Sequence, residues 1–372
     1  MKLPRPALLF LPLAALLAAC SGGTPTEQAA RMVNLQTVQS GPHIQAQELD
    51  GAIRRQPGNA GLYARRAVFR LDAGQTAAAL QDINRALELD DAPGEYYFTK
   101  ARALRTQGRL QATLAAAQEA SKNGFSSPEL NLLVGETNLA AHNYQAALDH
   151  LDRTLQQEPD HAAALFYKGI AYVALADTAQ ALDYLRASLS RDPRQPEILH
   201  QLAFLSNAYR LPAEAATYSA RGLRLAPTYG PLWYDHGRQF DLQNQPDSAR
   251  RYYARAALLD STLYRADYRL ALHDYKLRRY ATALPRLQRA LRRNPRLPNA
   301  RQMLAESFES LGRYPEAADQ YRLLVAENPG NRHWTYKAWK TGTRARLTSS
   351  ADTLRRAAPA PVELIPAARP VL

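Results

Sequence analysis

Between residues 60 and 331 the apolar positions recur as two amphipathic stretches in every 34 residues. Counted from residue 60, the eighth position is Ala67, Ala101, Gly135, Gly169, Ala203, Gly237, Ala271 and Ala305. It is small every time, and chance agreement would be on the order of one in 100,000. The twentieth is Ala79, Thr113, Ala147, Ala181, Ala215, Ala249, Ala283 and Ala317, and the twenty-fourth is mostly large, as at Ile83, Leu151, Leu185, Tyr253, Leu287 and Tyr321. Each period predicts two antiparallel helices, A and B. Small residues at positions eight and twenty let their backbones approach, and large residues at four, seven, eleven and twenty-four fill the space beside them. Pro57, Pro159, Pro193, Pro227, Pro295 and Pro329 are separated by multiples of 34 and stop helix B. Asp91, Phe125 and Ser261 hold the slots where that proline is missing. Gly74, Gly108 and Gly312 fall in the A–B turn, where a left-handed conformation suits glycine. Ala176, Arg210, Asn244 and Arg278 hold the same slot elsewhere, which predicts a less ideal turn there.

This pattern resembles the tetratricopeptide repeat family. Eight repeats fill residues 60–331 without an insertion or deletion. The resemblance implies an all-α fold, a right-handed α-solenoid of helix-turn-helix repeats. The first two repeats depart from it by lacking the proline, and only the sixth carries the tryptophan at position four, Trp233. Residues 43–59 read as a degenerate N-terminal capping helix with Leu49 and Ala52 in frame. Residues 332–347 read as a C-terminal capping helix in which Trp334, Ala338 and Trp339 cover the apolar end, with a partner contact as the other reading of the two tryptophans.

The ends carry different signals. Lys2 and Arg5 precede an apolar run, Ala7 to Ala19, too short to span a bilayer and suited to a secretory leader over residues 1–19. Leu17-Ala18-Ala19-Cys20 resembles the bacterial lipobox, which implies lipidation at Cys20 and cleavage before it. Cys20 is the only cysteine, so no disulfide forms within one chain. Residues 20–42 read as the lipidated cysteine and a flexible tether. Residues 348–372, with Pro359, Pro361, Pro366 and Pro370 among alanines, read as a disordered tail, either a docking peptide or a plain terminus. Ser21 where a retention signal would place aspartate, and no acidic run after the cysteine, favour the outer membrane facing the periplasm.

No catalytic or metal-binding motif appears. The eight histidines fall at different positions of the repeat, and no phosphate-binding glycine loop or nucleophile motif occurs. A scaffold without cofactor or metal is expected, not an enzyme. The family resemblance implies binding along the surface lined by helix A. Positions two, five, six, nine and twelve then supply Phe98, Arg102, Phe166, His200, Phe204, Tyr234, Arg238, Arg265, Tyr268 and Arg269 as the partner-binding groove, aromatic in its middle and basic toward repeats six and seven. Aromatic anchors beside arginines suit an extended peptide, while the rings read equally well as packing against neighbouring helices.

The chain carries 47 Lys and Arg against 34 Asp and Glu, with only seven lysines. Residues 238–301 hold fifteen basic and five acidic residues, a net of +10. An envelope protein meets no nucleic acid, so anionic lipid or acidic glycan contacts stand beside a plain solvated arginine surface as readings of this excess. The expected function is a membrane-anchored periplasmic adaptor binding protein or peptide partners in envelope assembly, secretion or cell-wall maintenance. The alternative is a glycan- or nutrient-binding envelope lipoprotein, against which the absence of any insertion in the array counts.

Overall fold

The structure, a computed structural model, describes residues 41–357, with side chains from 48 to 347. The expected leader, Cys20, nearly all of the tether and the last fifteen residues lie outside it. Every regular element among the described residues is a helix, eighteen in all. No described helix is long and apolar enough to cross a membrane. The chain divides into two compact units at Phe125 and Ser126.

The first unit holds α1 (Gly41–Arg55), α2 (Ala60–Asp72), α3 (Thr76–Leu89), α4 (Gly94–Thr106) and α5 (Leu110–Lys122). Two A–B hairpins follow the lone helix α1. Arg66 on α2 ties α1 to the first of them: its guanidinium donates to both oxygens of the buried Asp82 on α3, at 2.8 and 2.6 Å, and to Asp50 on α1 at 2.6 Å. Two hydrogen-bonded carboxylates raise the guanidinium pKa further, so this cation never titrates. Phe125, in the vacant proline slot, stacks on Phe98 with centroids 4.9 Å apart.

The second unit runs α6 (Pro128–Ala140), α7 (Tyr144–Gln157), α8 (Ala162–Ala174), α9 (Thr178–Arg191), α10 (Pro196–Ala208), α11 (Pro212–Leu225), α12 (Gly230–Leu242), α13 (Pro246–Leu259), α14 (Tyr264–Lys276), α15 (Tyr280–Arg293), α16 (Ala300–Ser310), α17 (Tyr314–Glu327) and α18 (Arg332–Ala357). Six hairpins alternate helix A and helix B, and α18 begins where a ninth helix A would. Within this unit neighbouring A helices touch, α10 against α12 and α14 against α16, so they form an inner layer with the B helices outside it.

The 34-residue step sets almost every helix start. All eight B helices begin on it, as do the first seven A helices. Helix α16 starts two residues late, because Asn299 takes a φ of +60° and holds the chain out of the helix until Ala300. The small residue at position eight is there because position twenty-four lies against it. A Cβ added at Gly169 would fall 2.7 Å from Leu185 Cγ, and one at Gly135 2.8 Å from Leu151 Cγ. All eight A–B turns are left-handed at the same slot, from Gly74 at +74° through His142, Ala176, Arg210, Asn244 and Arg278 to Gly312 at +73°. The turn is therefore imposed by hairpin packing even where no glycine favours it.

The two ends of the array differ from their sequence reading. Helix α1 starts at Gly41, and α18 continues to Ala357, ten residues beyond the expected boundary. Trp334 is half-buried, stacks on Tyr321 with centroids 6.0 Å apart, and covers the last core with Ala338. Trp339 does not share that role; it is 62% exposed. It sits at position eight of the ninth helix A, and among the described residues no helix B follows to cover it.

Candidate functional site

The inner layer of the second unit brings chemistry-bearing side chains together on α10, α12 and α14. His200 on α10 points at α12, its Nδ1 2.5 Å from Asp235 Oδ2. Asp235 is fully buried, and burial pushes its carboxyl pKa up while His200, Arg265 and Arg238 pull the other way. Its backbone carbonyl accepts a hydrogen bond from Asn207 Nδ2 at 2.9 Å. His200 is half-buried between Tyr229, edge-on at 6.0 Å, and Phe204 at 6.3 Å. The exposed guanidinium of Arg265 on α14 lies 5.3 Å from the Phe204 ring centre and 5.9 Å from that of Tyr264. Among the described residues, Arg265 and Arg238 have no carboxylate within ion-pair distance. A half-exposed ring with a guanidinium on its face, and a second unpaired guanidinium on the next helix, can grip a carboxylate and an apolar side chain of an extended segment.

One repeat further a second arrangement appears. Asp241 on α12 accepts from Tyr253 at 2.6 Å, lies 3.1 Å from His273 Nε2, and has Arg269 at 3.9 Å. Burial would lift its pKa, but the hydrogen bonds from His273 and Tyr253 and the charge of Arg269 hold it below the ordinary value. The same device recurs two repeats on. Glu309 takes the place of Asp241, Tyr321 of Tyr253 and Lys337 of Arg269, with Tyr321 and Lys337 at 2.8 and 2.9 Å. Arg238, Asp241, Arg269 and His273 also line a cleft of about 470 Å³ with Asp247, Arg250 and Lys276.

The ten residues expected to line the groove therefore separate. His200, Phe204, Arg238 and Arg265 gather on the inner layer. Tyr234 is a core residue, 7% exposed, because Tyr253 packs on it at 5.5 Å and Arg269 covers its hydroxyl. Arg269 is engaged in that cover and beside Asp241. Tyr268 is half-buried, its hydroxyl donating to the Pro298 carbonyl at 3.0 Å. Phe166 is half-buried against the core of α9 and α10. Phe98 and Arg102 belong to the first unit, where Arg102 lies over Phe98 and pairs with Asp72 at 3.0 Å. Asp235, Asp241 and Tyr229 were not singled out in the sequence. Asp235 and Asp241 do occupy positions six and twelve, which face the same layer. Among the described residues no group of three or more His, Cys, Asp or Glu is placed to hold a metal ion.

Tetratricopeptide repeat family models match residues 138–203 and 268–332, both within the second unit. The chain is a tetratricopeptide repeat protein. Solved structures agree on the fold of this repeat protein. One is a tetratricopeptide repeat protein from Parabacteroides merdae, with a TM-score of 0.55, 13% identity, and coverage of 67% of this chain and 99% of that one. Another is the APC/C hetero-tetramer Cut9-Hcn1, with a TM-score of 0.57, 14% identity, and coverage of 80% of this chain and 58% of that one. At these identities the likeness establishes an all-α helical solenoid and nothing about partners.

Proposed function

We propose that this tetratricopeptide repeat protein is a non-catalytic adaptor, lipid-anchored through Cys20 on the periplasmic side of a bacterial envelope. Its second unit holds an extended, acidic segment of a partner protein along α10, α12 and α14. The carrying observation is Arg265 lying over Phe204, with Arg238 on the neighbouring inner helix and, among the described residues, no carboxylate within ion-pair distance of either cation. Such fixed guanidinium–aromatic pairs are common binding hot spots. The family's general use as a protein-interaction scaffold supports the reading, and the lipobox-like Leu17-Ala18-Ala19-Cys20 supports the anchor.

The test is crosslinking in intact cells followed by pull-down, comparing wild type with Phe204→Ala, Arg238→Ala and Arg265→Ala combined. Tyr234 is left untouched because its removal would open the core. A protein captured by wild type and lost by the triple variant supports the groove; unchanged capture removes it. Separately, Cys20→Ser is expected to abolish metabolic incorporation of labelled fatty acid, and retained label would refute the anchor.

A further inference from the structure

The basic excess of residues 238–301 lies largely on exposed side chains. Of the five acids there, Asp241, Asp267 and Asp274 have side chains 17%, 7% and 1% exposed and lie against Arg269, Arg289 and Arg286. Only Asp247 and Asp260 remain toward solvent. Most of the arginines lie outside. Positions 22, 26 and 29 of each repeat form one face of helix B, since residues four and seven apart share a side. On α13 that face is Arg251, Arg255 and Leu258, all exposed. On α11 it carries Arg221 and the exposed Arg224, and on α15 the exposed Arg289 and Arg292. The 34-residue period sets these faces side by side in the outer layer.

The patch has edges. The same positions hold Asp183, Ala187 and Ser190 in the fourth repeat, and Asp319, Leu323 and Ala326 in the eighth. Between those limits the face holds six arginines and no acid. Arg289 is paired with Asp267, but Arg224, Arg251 and Arg292 have no carboxylate partner among the described residues. In the middle stands Leu258, 73% exposed, the most exposed large apolar side chain described.

We propose that the outer face of α11, α13 and α15 rests on an anionic phospholipid surface, with guanidinium groups on the phosphates and Leu258 entering below them. A row of arginines, three of them without a carboxylate partner among the described residues, attracts any acidic partner, but a protruding leucine at its centre fits a surface whose charged layer covers hydrocarbon. This inference uses only the outer layer and does not depend on the groove. The membrane placement proposed above supplies its setting.

The test is vesicle co-sedimentation of the chain from Ser21 onward, which keeps every described helix without leader or lipid. Vesicles are phosphatidylcholine alone or with 30% phosphatidylglycerol. Binding is expected to the phosphatidylglycerol vesicles alone and to be lost in 0.5 M salt. Each basic residue near such a surface contributes about fivefold, so Arg224→Gln, Arg251→Gln and Arg292→Gln together weaken partitioning about a hundredfold. Leu258→Ser weakens it severalfold, and circular dichroism confirms that the variants stay folded. Phe204→Ala leaves vesicle binding unchanged, so either proposal can fail alone. Equal binding to both vesicles, no binding, or an unaffected triple variant overturns the inference. Capture on polyglutamate without vesicle binding overturns it in favour of an acidic protein.

Discussion

The left-handed slot of the A–B turn allows the fold to be tested by adding stability. His142, Ala176, Arg210 and Arg278 adopt φ between +56° and +63° there. For a residue with a Cβ this region costs about 1–2 kcal/mol. Glycine removes that cost and returns about 0.5–1 kcal/mol through the freer unfolded chain. The net expectation is about 0.5–1 kcal/mol of added stability for Ala176→Gly, Arg210→Gly or Arg278→Gly. His142→Gly gains less, since its Nδ1 shares a hydrogen bond with Tyr144 at 2.9 Å. The sites are 34 residues or more apart and share no partners, so three replacements add to about 1.5–3 kcal/mol. The reverse change isolates the backbone term, because a Cβ at Gly312 would meet nothing within 4 Å. Gly312→Ala should therefore lose about 1 kcal/mol with no clash involved. Urea unfolding followed by circular dichroism reads both, with the slope checked because repeat arrays can lose cooperativity. A lowered midpoint for Ala176→Gly, or an unmoved one for Gly312→Ala, would refute the claim that packing holds these turns left-handed.

Three further outcomes follow from the same structure. Pro285 stands inside α15 and exposed, where it removes the hydrogen bond to the Ala281 carbonyl; Pro285→Ala should stabilise by about 1–3 kcal/mol in the same unfolding assay. Burial holds the His236 pKa below the ordinary value, so its contribution to stability is complete above about pH 6.5 and is lost as pH falls through the folded value. His236→Phe keeps a ring against Phe240 and Tyr252 and should flatten, in part, the fall in melting temperature between pH 7.5 and 5.5; His150, depressed by burial and then by Arg153, contributes to the same fall. Burial would raise Glu309, but Lys337 and Tyr321 hold it below the usual range, so Glu309→Gln should loosen α18 by about 1–3 kcal/mol and shift Trp334 fluorescence, while an unchanged spectrum would detach Glu309 from that role.

The period was legible because it is written in small residues. Alanine or glycine at position eight records a backbone contact that no larger residue permits, and Gly135 and Gly169 show how little room remains. The helix starts followed from it, except at Asn299, whose left-handed φ leaves no mark in a single sequence. The groove was less legible for a physical reason. In the second unit position five lies on the inner helices, yet whether its side chain reaches solvent depends on residues elsewhere. Tyr234 is buried because Tyr253 and Arg269 close over it, whereas Phe166 and His200 at the same position stay half-exposed. Trp339 shows the same limit. Its sequence neighbours matched a cap, but among the described residues no helix B packs over it, and it stays exposed.

The carboxylates explain how two surfaces of one array can carry different chemistry. Asp241, Asp267 and Asp274 are taken up by tyrosine, histidine and arginine partners from neighbouring helices, where a charge would be destabilising unless hydrogen-bonded. With the acids held inside, Arg224, Arg251 and Arg292 on that face of helix B have no carboxylate partner among the described residues, and Arg289 alone reaches one, Asp267. This arrangement does not alter positions five and nine of helix A, which stand in the other layer. A change on one face therefore needs no compensation on the other. Because Asp267 sits between the layers, bonded to Arg289 at 3.0 and 2.6 Å, it is the residue through which that independence can be checked. Asp267→Asn should free Arg289 and strengthen vesicle binding while leaving capture of a groove partner unchanged, and a parallel change in both would show that the two faces are coupled.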